Sequence, residues 1–118
     1  MEYSDALKAI GEPKRFQILK LISETGEMNA LNILEHFSIT QPTLSHHMKI
    51  LTEAKLVSIR TKGLWSYYSI NKVTLKGLLD TLSTILRNDE SATEGENVWQ
   101  VNDSPVLRQK RYMDESLL

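Results

Sequence analysis

No cysteine occurs anywhere in the chain. That absence removes disulfides, thiolate catalysis, thiol redox sensing and cysteine-built metal sites together. No apolar run approaches the ~18 residues of a membrane span. The first residues lack a basic-then-apolar signal pattern, so a cytoplasmic protein with no membrane partner is expected. Net charge is scarce too: a formal −1 over 118 residues, where a nucleic-acid binder commonly shows a marked positive excess. No activated nucleophile, no plausible acid–base pair and no glycine-rich phosphate loop can be found, so neither an enzyme nor a cofactor is expected. His36, His46 and His47 are the only histidines. His46 and His47 are adjacent and diverge by about 100° on a helix, so they cannot chelate one ion as residues i and i+4 can. No metal site is expected.

What is present is an uneven distribution of charge. Residues 1–72 carry nine Lys/Arg against seven Asp/Glu, and residues 73–118 carry five against eight. Within 45–62, Lys49, Lys55, Arg60 and Lys62 oppose only Glu53. A small basic patch therefore sits mid-chain, and any affinity for a polyanion should be modest and sensitive to salt. The length suffices for one domain with a core of its own.

The patch coincides with the most informative stretch, Ile39 to Leu51. Thr40 can cap a helix there, and Pro42 stands in its first turn, where a missing N–H is harmless. Leu44, Met48 and Leu51 recur at spacings of four and three and draw one apolar stripe. The opposite face carries Pro42, Ser45, His46, Lys49 and Glu53, flanked by Gln41 and Thr43. Short donors and acceptors with one cation suit base edges and phosphates. An ordinary solvated face has the same appearance, so the surrounding elements must decide.

Those elements are legible in order. Tyr3, Ala6, Leu7 and Ile10 have helical spacing, and Gly11 ends that short helix. Pro13 opens a second helix whose Phe16, Ile18, Leu19, Leu21 and Ile22 predict a broad apolar face, closed at Thr25-Gly26. Asn29 can cap a third helix through Phe37, with Ala30, Ile33, Leu34 and Phe37 inward. Ser38-Ile39-Thr40 then makes a tight turn into the next helix, which is a helix-turn-helix arrangement. After Ala54 the period becomes two. Leu56 to Thr61 and Leu64 to Ile70 form a β-hairpin turned at Lys62-Gly63, with Val57 and Ile59 on one face and Tyr68 and Ile70 packed inward. Arg60 and Lys62 lie near its tip. Thr74 to Arg87 is a helix with Leu75, Leu78, Leu79, Leu82, Ile85 and Leu86 at spacings of three and four. That stripe exceeds what a terminal helix needs for its own domain. A two-fold seam shared with Tyr3 and Leu7 of the first helix would use it.

The segments together resemble the ArsR-type (arsenic repressor-like) winged-helix transcriptional repressors. Leu7 to Leu19 resembles the family's opening pattern of leucine, proline, arginine and a final Ile-Leu. Gly26-Glu27-Met28 resembles the lead-in to its third helix. Gln41 to Leu51 is similar to its recognition helix nearly residue for residue. Gly63 to Ile70 resembles its wing. The likeness spans roughly residues 5–87. It implies a mainly α fold with a β-hairpin wing, a homodimeric winged helix-turn-helix over residues 1–88, and repression at a palindromic operator. Gln41, Thr43, Ser45 and His46 would read bases, and Lys49, Arg60 and Lys62 would hold the DNA backbone. Tyr3, Leu7, Leu75, Leu78, Leu82 and Ile85 would form the dimer interface. The family's arsenic and lead sensors carry cysteines at the start of the third helix, where this chain has Asn29 and Leu31. Zinc and nickel sensors place histidines and carboxylates on the last helix, where this chain offers Asp80. The pattern is closest to the metal-independent, autorepressor-like members.

Residues 89–118 fall outside the likeness. They read as an acidic, mostly flexible tail, interrupted by Val98-Trp99-Gln100-Val101 and offering a place for a protein partner. A winged-helix module that binds a protein rather than an operator is the alternative function. A near-zero salt dependence with DNA would favour it.

Overall fold

The structure, a computed structural model, describes residues 2–92. Five helices and three strands follow the order α1 (Ser4–Ile10), α2 (Pro13–Thr25), β1 (Met28–Asn29), α3 (Ala30–Leu34), α4 (Gln41–Glu53), β2 (Val57–Lys62), β3 (Trp65–Ile70) and α5 (Lys72–Ala92).

The helix starts follow from local chemistry. Pro13 opens α2, and the Glu12 carboxylate accepts the Arg15 N–H at 3.0 Å. Asn29 Oδ1 accepts the Asn32 N–H at 2.8 Å and starts α3. Thr40 Oγ1 accepts the Thr43 N–H at 3.3 Å and starts α4. Each cap satisfies a donor that the first helical turn leaves free.

α4 ends less usually. Lys55 adopts φ 62°, the left-handed region normally left to glycine. Its N–H donates to the Thr52 carbonyl at 3.0 Å, and the Leu56 N–H reaches back to the Leu51 carbonyl at 3.0 Å. This pair of bonds is a Schellman motif, and its accompanying apolar contact joins Leu51 and Leu56, both fully buried. The turn delivers the chain directly into β2.

The sheet has the order β1-β3-β2, antiparallel throughout. In the hairpin Val57 faces Ile70, Ile59 faces Tyr68 and Lys62 faces Trp65. Gly63, at φ 62°, supplies the positive φ that the first residue of this two-residue loop requires. Opposite the hairpin, Met28 pairs with Tyr68 and Asn29 with Tyr67. One core gathers Ala6, Ala9, Ile18, Leu19, Ile22, Met28, Ile33, Leu44, Met48, Leu51, Leu56 and Val57, with Tyr68, Ile70 and Leu75 packed against it.

The mainly helical fold with a hairpin wing is as expected; several details differ. Met28-Asn29 forms a strand, not merely a lead-in to α3. α3 stops at Leu34 rather than Phe37. Phe16 is 53% exposed, because Ile18, Leu19 and Ile22 define the buried face and Phe16 lies about 110° from its centre. Ile59 remains 49% exposed although it shares a strand face with buried Val57. α5 continues to Ala92, beyond the boundary expected at residue 88. The expected tail lies almost wholly outside the described residues. Among those described, no helix is long and apolar enough to cross a membrane.

A left-handed Lys55 is strained by about 1 kcal/mol or more, and glycine adopts that conformation without a Cβ clash. Lys55→Gly should leave the denaturation midpoint unchanged or raise it. Lys55→Val should lower stability by more than about 1 kcal/mol, since β-branching makes φ > 0 harder still. Urea unfolding of the two variants gives the comparison, and equal stabilities would contradict the role assigned to this turn.

Candidate nucleic-acid interface

α4 divides cleanly into two faces. Leu44, His47, Met48 and Leu51 are buried; Gln41, Thr43, Ser45, His46 and Lys49 are exposed. All five residues expected to face a ligand from this helix therefore share its solvent side. Pro42 and the capped first turn put further free backbone dipole at the same end.

Arg15 holds the inner face in place. Its Nε donates to the Ala9 carbonyl at 2.9 Å, and its Nη1 lies 3.4 Å from His47 Nδ1. One guanidinium thus links α1, α2 and α4. A neutral His47 accepts the Arg15 N–H at Nδ1, whereas a protonated ring would meet a cation. Burial pushes the His47 imidazole below its ordinary value; the nearby Glu12 carboxylate opposes the shift, and Arg15, His46 and Lys14 add to it. His47 is a positioning residue, and His46 projects to solvent.

The wing presents its two cations differently. Lys62 is exposed at the end of β2. Arg60 is engaged: its Nε and Nη2 reach the two Glu27 carboxylate oxygens at 3.0 and 2.8 Å. Its guanidinium also lies 5.4 Å from the Tyr67 ring centroid. The arginine hydrogen bond holds the Glu27 carboxyl below the usual carboxylate range. Arg60 is therefore a clamped cation rather than a free one at the tip. Sequence reasoning missed Glu27, which lies 33 residues from its partner; nothing local signals the pair. Leu64 is fully exposed at the hairpin turn.

The metal positions of related sensors do not fit a soft ion here. Asn29 uses its side-chain oxygen as the α3 cap, and Leu31 is an exposed hydrocarbon. His36 Nδ1 is spent on the Asn32 carbonyl at 3.0 Å.

The six residues expected at a dimer seam separate into two groups. Leu78 is only 6% exposed, already buried within its own chain, and Leu75 packs against the core. Tyr3 is half-buried against Gly77, where an added Cβ would overlap its hydroxyl. Leu7, Leu82 and Ile85 remain between 48% and 60% exposed. Leu79 and Leu86, at 63% and 49%, were not assigned to the seam and are as open as these.

Comparison with known proteins adds an independent line. Residues 12–58 match the profile of the family described as "Bacterial regulatory protein, arsR family". An arsenical resistance operon repressor of Staphylococcus xylosus is 42% identical over 89 residues, covering 75% of this chain and 85% of that protein. The transcriptional repressor SdpR of Bacillus subtilis is 35% identical over 88 residues, covering 75% and 97%. In fold, the chain is similar to a homodimeric winged helix-turn-helix DNA-binding domain from Mycobacterium bovis. The TM-score is 0.56 at 24% identity, over 80% of this chain and 85% of that one.

The His47 environment has a consequence for pH. The unfolded imidazole titrates near pH 6.5 and the folded one lower, so the unfolded chain binds more protons between the two values. Stability contributed by neutral His47 should be complete above about pH 6.5 and lost as pH falls through the lower folded value. His47→Gln should flatten that part of a stability-against-pH curve measured by chemical denaturation between about pH 7 and 5; an unchanged slope would exclude His47 as its source.

Proposed function

The chain belongs to the arsR family of bacterial regulatory proteins, and from that premise we propose that it is a sequence-specific DNA-binding transcriptional repressor, acting as a homodimer on a palindromic operator. The observation that carries this reading is the outer face of α4. It gathers Gln41, Thr43, Ser45, His46 and Lys49 on one exposed side of a helix whose other side is locked into the core. Two such helices would occupy successive major grooves about 34 Å apart. Gln41, Thr43, Ser45 and His46 read base edges, and Lys49 and Lys62 hold phosphates. Arg60 joins them only when a phosphate replaces Glu27. The dimer interface in this reading comprises Tyr3, Leu7, Leu82 and Ile85, with Leu79 and Leu86 added, while Leu75 and Leu78 support it from beneath.

Regulation in this reading needs no metal, because the residues at the soft-metal positions offer neither thiolate nor imidazole. The DNA-binding and dimerising part extends over residues 1–88. Beyond α5, which runs to Ala92, Val98-Trp99-Gln100-Val101 is the stretch for any protein partner. The protein works in the cytoplasm, beside its operator.

Fluorescence anisotropy on the duplex upstream of its own gene, with scrambled DNA as reference, tests the reading. His46→Ala should lose about 1–3 kcal/mol per half-site on the specific duplex and relax specificity at one base pair in each half-site. Lys62→Ala should weaken both duplexes and reduce the log–log salt slope by about 1.8, one phosphate from each protomer. Glu27→Gln should instead tighten both duplexes with little change in slope, because a phosphate then reaches Arg60 without displacing a carboxylate. Equal weak binding to both duplexes, with no slope, would overturn the proposal. Separately, Leu82→Glu and Ile85→Glu together should shift the protein to a monomer in sedimentation equilibrium and weaken operator binding. A dimer that survives both would move the seam elsewhere.

A further inference from the structure

A cavity of about 340 Å³ lies between α3, α4 and the wing strand β3. Leu34, Leu44 and Met48 line its inner part, and Leu31 and Trp65, each about half exposed, stand at its rim. Its volume lies in the range of small-molecule sites. Among the described residues, no Lys, Arg, Asp, Glu or His contributes to the lining. A charged ligand would therefore lose its hydration with no counter-charge to replace it. The Trp65 indole offers a flat wall suited to a ring. Polar groups are few, and two of them, Gln41 and Ser45, come from the α4 residues assigned above to base reading.

We propose that this cavity binds a neutral, planar, largely apolar small molecule, and that its occupant and DNA exclude one another. The occupant would lie against Leu34, Leu44 and Met48 beneath the Trp65 ring, and take hydrogen bonds from the Gln41 amide and the Ser45 hydroxyl. Those groups then cannot serve a base edge. The occupant also stands between the recognition helix and the wing, two elements that must reach one duplex together. Antagonism of this kind is reciprocal: duplex must weaken the small molecule by the factor by which the small molecule weakens duplex. The antagonism rests on the DNA reading of the preceding subsection; the cavity's affinity for a neutral ring does not.

The test uses full-length protein and the neutral fluorophore N-phenyl-1-naphthylamine. Trp99→Phe leaves Trp65 as the sole tryptophan, so energy transfer from it to the fluorophore reports proximity to this cavity. Saturable one-to-one binding with transfer from Trp65 is expected. Ala30→Phe, which fills the cavity from its exposed rim, and Leu31→Gln, which makes the rim polar, should each weaken binding at least ten-fold with unchanged helix content and melting. The promoter duplex should weaken the fluorophore at least five-fold, and saturating fluorophore should lower duplex anisotropy correspondingly. Absence of saturable binding, or binding that neither variant changes, overturns the site. Binding that duplex does not weaken, in protein that does bind duplex, overturns the antagonism. Protein that binds the fluorophore at this site and binds no duplex overturns the DNA reading while supporting the site.

Discussion

Burial of one face of α4 is the interaction on which the remaining geometry depends. Leu44, Met48 and Leu51 are at most 2% exposed, and with His47 they use up the whole inner side of the helix. Each fully buried aliphatic side chain contributes roughly 1.5–3 kcal/mol. A rotation of the helix about its axis would sacrifice several of these at once, so the outer residues are held in a defined direction. Their chemistry is then unconstrained by folding. Gln41, Thr43, Ser45, His46 and Lys49 can be exchanged without loss of core contacts because the stripe beneath them carries the stability. The Schellman turn at Lys55 extends the same constraint to the wing: Leu56 leaves the helix end already buried, and β2 starts from it.

Charge is managed around this frame by pairing. Arg15 lies among the helices, where its N–H groups satisfy the Ala9 carbonyl and His47 rather than solvent. Arg60 lies outside, matched by Glu27 in a two-point contact. The latter pair is exposed and contributes little to stability. Its weight is in what it withholds. The formal charge of the wing counts Arg60, but its field in the free protein is largely offset by Glu27. The wing of a chain with almost no net charge thus carries one cation already matched by its own carboxylate.

Much of this was readable from residue order, and the boundary between the readable and the unreadable is physical. Pro13 at a helix start and caps at Asn29 and Thr40 act within about one turn, so their signals are local and the helix starts follow. The hairpin was legible for the same reason, through its alternation and Gly63. The strand at Met28-Asn29 was not. Two residues carry no period, and the pairing that makes them a strand comes from Tyr67 and Tyr68. The Glu27–Arg60 contact and the cavity beside Trp65 also depend on segments far apart in the chain. Phe16 was misjudged because an apolar residue near a stripe was counted as part of it. Among the α4 residues assigned to DNA, exposure agreed throughout, since a period of 3.6 places each of them relative to a clear apolar stripe.

The order β1-β3-β2 leaves β2 as an outer strand, with one row of backbone N–H and C=O groups unpaired within the described sheet. Such a row is a template on which another extended chain can add. Every residue of β2 after Val57 is exposed, and two of the five are cationic. Charge on an outer strand disfavours edge-to-edge pairing of one sheet with another, so Lys62, and Arg60 together with its paired Glu27, make this edge a poor template.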